Sequence, residues 1–265
     1  HLKDAMELTA EMLVRSNYTD TKRLYEILTE LKSRLQSSMI SAGHTIAAGR
    51  AMSYTSETAA VQEILSGMDF YRLVDRLCTN WDEENEKLPE ILKRLSECMF
   101  RPENLMFDFT AEEEDQEKLF EAEAKALKKA LFTCPVDREP VHAAVSKKNE
   151  GFLSASQVQY VCRAGNYKKN GLEYTGVLRM LRGILNTDYL WNTVRVKGGA
   201  YGCMCSFGKS GDSYIASYRD PNLGKTIEAY DGIVEYVAHF AGDERSMTQA
   251  VIGTVSEMDA PMNPA

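Results

Sequence analysis

Apolar residues recur every three to four positions through the first hundred residues, beginning with Leu2, Met6, Leu8, Met12 and Leu13, which form one stripe to about Arg15. Such a stripe is the mark of a helix with one face turned inward. Asn17-Tyr18-Thr19-Asp20 interrupts the pattern, and Thr19 or Asp20 supplies a side-chain acceptor to cap a second helix. That helix is expected from Thr21 to about Tyr54 on Leu24, Ile27, Leu28, Leu31, Leu35, Met39 and Ile46, loosened at Gly43. Shorter helices are expected over 57–67, 69–78 and 83–98, the first announced by Thr55/Ser56 and the last started or kinked at Pro89.

After residue 100 the pattern changes. Asn104–Thr110 reads as a strand, and Thr110 followed by Glu112-Glu113-Glu114 reads as the start of a helix to about Phe132. The acids of 112–117 complement the dipole of a first helical turn and are read as solvated. Pro135, Pro140 and the polar run Ser146–Glu150 mark a boundary, so 1–140 and 141–265 are expected to form two domains. In the second, Ser156–Ala164 alternates as a strand, and a helix is expected from Tyr174 to about Val196, ended by Gly198-Gly199. Strands Ala200–Phe207 and Ser213–Tyr218 follow, joined as a hairpin by the loop 208–212. Asp220-Pro221 is read as the cap and first turn of a helix running to Gly242, and a final helix is expected from Glu244 to about Met258. Helices alternating with hairpin strands give an α+β class, an antiparallel sheet with helices packed on one face.

Composition narrows the class of function. The 265 residues carry 31 Lys+Arg against 39 Asp+Glu, a net charge of -8, with no basic surplus of the kind that grips phosphate backbones, so no nucleic-acid partner is expected. No apolar run approaches the ~20 residues that cross a bilayer, so no membrane partner is expected either. The six cysteines are scattered, and their usage fits a reducing compartment. Cys203-Met204-Cys205 would place both thiols on one face of a strand, as small buried residues or, with less support, as metal ligands. The chain opens on His1 without an initiator Met and stops on Pro264-Ala265, so it is expected to be a piece of a longer protein.

The motifs for familiar chemistry are missing. Neither order of the zinc-hydrolase motif, H-E-x-x-H or H-x-x-E-H, occurs, and His1, His44, His142 and His239 lie far apart in sequence, so no metal ligand is assigned. Gly198–Gly202 is glycine-rich, but it runs from helix to strand, the reverse of a phosphate loop. The stretch Trp191–Gly202 remains. Arg195 ends a helix and Tyr201 begins a strand, with two glycines between them to turn the backbone. A guanidinium and a phenol converging on one point would donate to a peptide carbonyl, or to the oxyanion it becomes on attack. The competing arrangement has Arg195 satisfying helix-end carbonyls and Tyr201 packed on the sheet.

The run Val194–Gly202, then Ser217-Tyr218-Arg219-Asp220-Pro221-Asn222-Leu223, then Ile252-Gly253-Thr254-Val255 before Asp259, closely resembles the C-terminal half of the pitrilysin/insulinase family of zinc peptidases, in its presequence-protease branch. Phe152-Leu153 through Tyr160-Val161 fits the same branch, and Asp20–Leu24 with Ser41–His44 fits it more weakly. The resemblance implies two related α+β units of the pitrilysin-type fold, both truncated here, belonging to the half of a clam-shell endopeptidase that lacks zinc. Arg195 and Tyr201 match the family's catalytic and substrate-binding pair. It implies peptide substrates and, as partner, an N-terminal half carrying zinc and the general base. This fragment is then expected to bind no zinc and to be inactive alone. The compartment would be the cytoplasm in a bacterium, or an organelle matrix in a eukaryote. A catalytically inactive structural or peptide-binding subunit of the same fold is the alternative.

Overall fold

The computed structural model describes residues 1–110, 114–137, 139–140, 142–154 and 156–259, with 114–116 by backbone alone. The class is α+β, with a small antiparallel sheet among many helices. The described residues divide into two compact units: those of 1–31 with 74–140, and those of 32–73 with 142–259.

The first unit is helical. It contains α1 (Leu2–Val14), the opening turns of α2 (Thr21–Ser41), the end of α5 (Met68–Thr79), α6 (Trp81–Glu84), α7 (Lys87–Met99) and α8 (Glu114–Ala130). Asp20 caps α2, its Oδ1 accepting from the Arg23 N–H at 3.0 Å. α1 packs on α7 and α8, and Val74, Leu77, Leu88, Leu127 and Leu131 are buried. The strand expected over 104–110 is not formed: Pro102–Asn104 is a single 3-10 turn, and the residues after it pair with no strand among the described residues. Their alternation has another use, since Phe109 stacks on Phe120 at 4.0 Å and Phe107 meets the same ring edge-on at 5.6 Å. The expected helix start over 111–113 lies outside the described residues.

The second unit holds the sheet. Its strands β1 (Cys162–Asn166), β2 (Gly202–Phe207) and β3 (Asp212–Tyr218) lie in the order β1-β3-β2, antiparallel throughout, with Cys162 and Met204 both opposite Ala216. One face packs Cys205 and Ile215 against Leu185, Leu190, Val194 and Tyr230. The other carries α3 (Gly43–Met52), where His44 meets Tyr218 edge-on at 4.9 Å. Helices therefore cover both faces, not one. The alternate set Cys162, Met204 and Ala216 is as apolar as the inner set, so the second face also needs cover, and Ala216 is fully buried.

The expected long helix over 21–54 breaks at Ala42, between α2 and α3. Gly43 has a packing reason, because a Cβ there would fall 2.3 Å from the Tyr160 ring. Ser56 caps α4 (Glu57–Ser66), accepting from the Ala59 N–H, and also donates to Asp212. α3 and α4 are tied by a buried arginine. The Arg50 guanidinium donates to Glu63 at 3.2 Å, Asp69 at 3.1 Å, and both oxygens of Glu150 at 2.7 and 3.1 Å. That fork holds the segment before β1 against α3, and it keeps the Glu150 carboxyl far below the ordinary range, at about 2.

Candidate functional site

The helix leading into the site is α9 (Gly176–Ile184), continued by wide π-helical turns over Leu185–Tyr189 and Trp191–Lys197. Widened turns change which residues share a face, and they recur at functional sites. Leu185, Leu190 and Val194 are sealed into the core, which directs Trp191 and Arg195 outward. The two stack, with the Arg195 guanidinium carbon 3.9 Å from the Trp191 ring centre, close enough for a cation–π contact.

Gly198 and Gly199 make the turn. The N–H of Gly199 donates to the Arg195 carbonyl at 2.9 Å and that of Ala200 to the Val194 carbonyl at 3.2 Å, while Asn222 Nδ2 donates to Gly198 O. The helix-end carbonyls are thus taken by backbone and by Asn222, and the arginine side chain is not used for them. Gly199 has φ +80°, and a Cβ on Gly198 would sit 2.5 Å from the Val194 carbonyl oxygen. Both positions exclude a side chain, one by torsion and one by space.

Tyr201 then enters β2 with its N–H on the carbonyls of Tyr218 (3.0 Å) and Arg219 (3.3 Å). The residue is 67% exposed and its ring meets Tyr218 edge-on at 5.6 Å, so it is not packed away on the sheet. The guanidinium of Arg195 lies 6.0 Å from the Tyr201 ring centre. Arg195, Val196, Gly199, Ala200, Tyr201 and Arg219 line one open pocket of about 420 Å³. Both residues singled out in the sequence are therefore brought together, beside Trp191, Tyr218 and Arg219, which carried no assigned role there. A spacing of four between Trp191 and Arg195 was a signal for the stack. Nothing local pointed to Arg219.

Asp220 is the hidden organiser of this wall. It is fully buried; its Oδ1 accepts from the Asn222 N–H at 2.8 Å and its Oδ2 from the Thr226 hydroxyl at 2.7 Å. Its backbone forms a two-way bridge with Gln159. The expected helix from Asp220 to Gly242 is instead α10 (Gly224–Asp231) and α11 (Ile233–Ala238), parted at Gly232, so Asp220 orders the turn before α10 and does not cap it directly. The last helix, α12 (Glu244–Met258), is as expected, and Asp243 caps it through the Ser246 N–H.

The cysteines and histidines do other work. Burial pushes the thiols of Cys203 and Cys205 up to about 12, the behaviour of small core residues. His142 pairs with Glu57, and the His239 ring bonds the Glu235 carbonyl. Among the described residues no group of three or more His, Cys, Asp or Glu side chains is placed to hold a metal ion. No described helix is long and apolar enough to cross a membrane.

Comparison with known proteins places the chain in a family. Residues 149–265 match the family model described as PreP C-terminal domain, and residues 1–77 match the one described as associated with peptidases of family M16, subgroup C. The chain is 38% identical over 261 residues to Protein HypA of Clostridium perfringens, covering 98% of this chain and 26% of that protein. It is 29% identical over 264 residues to Presequence protease 1, chloroplastic/mitochondrial, of Arabidopsis thaliana, covering 97% of this chain and 24% of the relative. It is 24% identical over 274 residues to the mitochondrial presequence protease of Saccharomyces cerevisiae, covering 97% and 27% respectively. The chain belongs to the pitrilysin, or M16, peptidase family, in its presequence-protease branch, and matches part of the C-terminal half. It spans about a quarter of the length of these relatives.

Proposed function

We propose that this chain is a fragment of the C-terminal half of a zinc-dependent endopeptidase that degrades unfolded peptides in a closed chamber, and that Arg195 and Tyr201 grip the substrate carbonyl and stabilise its oxyanion. The observation that carries this reading is the shared pocket: an exposed phenol and a stacked guanidinium on the same wall, with no carboxylate among the lining residues. Hydrogen-bond donors held in place by a packed scaffold stabilise developing negative charge without reorganising during the reaction. The stack on Trp191 and the clamp of the Tyr201 N–H between two carbonyls provide that rigidity.

Zinc and its general base belong, in this reading, to an N-terminal half, which makes the fragment alone inactive on peptides. The compartment follows the parent organism, cytoplasm for a bacterium and an organelle matrix for a eukaryote. The test is to supply the zinc-binding half in trans and follow cleavage of a fluorogenic peptide. Arg195→Ala and Tyr201→Phe should each lower kcat by roughly 10²–10³-fold, the loss typical of an oxyanion donor. Unchanged turnover in both variants would refute the assigned roles and favour a purely structural subunit.

A further inference from the structure

The pocket holds a second guanidinium on an unusual backbone. Arg219 is the only described non-glycine residue with positive φ, at +48°. An arginine there costs more than glycine or asparagine would, because its Cβ crowds the backbone in the left-handed region. The strain is imposed from both sides: the Tyr201 N–H rests on the Tyr218 and Arg219 carbonyls, while Asp220 is fixed by Gln159, Asn222 and Thr226. Backbone held this way by its surroundings is a feature of ligand-contacting sites.

The consequence is electrostatic. The Arg219 side chain is exposed and lies with its guanidinium carbon 5.6 Å from the Tyr218 ring centre. Tyr218 meets Tyr201, and Tyr201 lies beside Arg195, so two cations flank a pair of phenols along one wall. The six lining residues include both arginines and no acid. Neither guanidinium is ion-paired to a carboxylate of the described residues. Two cations facing one cavity repel each other until an anion enters, and a guanidinium fork fits a carboxylate in two parallel hydrogen bonds.

We propose that Arg219 is a specificity-determining residue that binds a carboxylate of the peptide, either an acidic side chain or the free C-terminus, next to the carbonyl held by Arg195 and Tyr201. This rests on the reading of the pocket as a peptide site. The two carboxylate sources differ in what abolishes recognition: replacing Glu by Gln removes the first, and amidation removes the second.

The test measures Kd by fluorescence anisotropy on the 265-residue chain with labelled peptides identical except for one internal Glu or Gln, each made with a free and an amidated C-terminus. The variants are Arg219→Gly and Arg219→Asn, which suit the left-handed backbone while deleting the charge, and Arg219→Lys, which keeps the charge without the fork. A partly exposed charge-assisted contact of about 1 kcal/mol corresponds to a preference of about fivefold for the carboxylate peptide. That ratio should collapse toward one in the Gly and Asn variants, remain partly in Lys, and shrink between 0.05 and 0.5 M salt in the wild type, roughly as screening shortens. A loss confined to the Glu/Gln pair assigns the side chain, and one confined to the free/amidated pair assigns the C-terminus. Ratios that are unchanged in Arg219→Gly and Arg219→Asn overturn the proposal. If Arg195→Ala leaves the binding of every peptide unchanged, the reading of the pocket fails instead, and a shifted Arg219 ratio alongside intact Arg195 binding separates the two results.

Discussion

The wall that carries Arg195, Tyr201 and Arg219 should depend on one buried carboxylate, and Asp220→Ala tests this directly. Asp220 is fully buried and its two oxygens accept from the Asn222 N–H at 2.8 Å and the Thr226 hydroxyl at 2.7 Å. Hydrogen bonds to a charged group are each worth roughly 1.5–3 kcal/mol, and removing the carboxylate also relieves the cost of burying it, so a net loss of about 2–4 kcal/mol is expected. Thr226, only 3% exposed, would keep an unpaired hydroxyl. Asp220→Asn retains an acceptor for Asn222, and its amide can donate to Thr226 if that hydroxyl turns, so it should cost nearer 1 kcal/mol.

Urea unfolding followed by tryptophan fluorescence provides the assay. The chain has two tryptophans, Trp81 in the first compact unit and Trp191 in the second, so a Trp81→Phe background makes the signal report the unit that holds Asp220. With a slope of about 2–3 kcal/mol per molar urea, Asp220→Ala should lower the midpoint by about 1 M and Asp220→Asn by about 0.4 M. A shift below about 0.2 M for Ala, or equal shifts for both variants, would show that the carboxylate bonds do not hold this turn.

Two further outcomes follow from the same unit. The Glu150 carboxyl sits at about 2 instead of 4.5, chiefly through its bond to Arg50, so its stabilisation is complete above pH 4.5 and fades as the pH falls toward 2. With the Glu150 side chain 26% exposed, about 1–2 kcal/mol is expected; the gap in urea midpoint between wild type and Glu150→Gln should narrow between pH 7 and pH 3, and a constant gap would contradict the linkage. At the turn, Gly199→Ala should cost about 1–2 kcal/mol from its left-handed torsion alone, since its Cβ would meet only Pro221 at 3.6 Å. Gly198→Ala should cost more, because its Cβ would strike a backbone carbonyl that cannot yield; thermal melts that rank the two the other way would exclude this account.

Much of the helical order was legible because it is periodic. The stripe of Met247, Val251, Val255 and Met258 specifies α12, and the acceptors Asp20 and Ser56 mark helix starts through bonds that span only three residues. An apolar pattern is ambiguous where it has more than one solution. Phe107 and Phe109 alternate like a strand, but no strand of the described residues pairs with them and both pack on Phe120 instead. The run 21–54 reads as one helix, yet Tyr160, more than a hundred residues later in the chain, occupies the space above Gly43 where a longer side chain would sit.

By itself the sequence determined the α+β class, the family, and the glycine turn that sets Arg195 and Tyr201 close together within one short motif. These are local or pattern properties, set by periodicity, torsion and residue type. Only the tertiary structure decided that α3 covers the second face of the sheet and that Arg50 gathers Glu63, Asp69 and Glu150. It alone brought Arg219 into the pocket of Arg195. Those outcomes join residues far apart in the chain, and the burial and charge that drive them exist only once the strands have paired and the interior has lost its water.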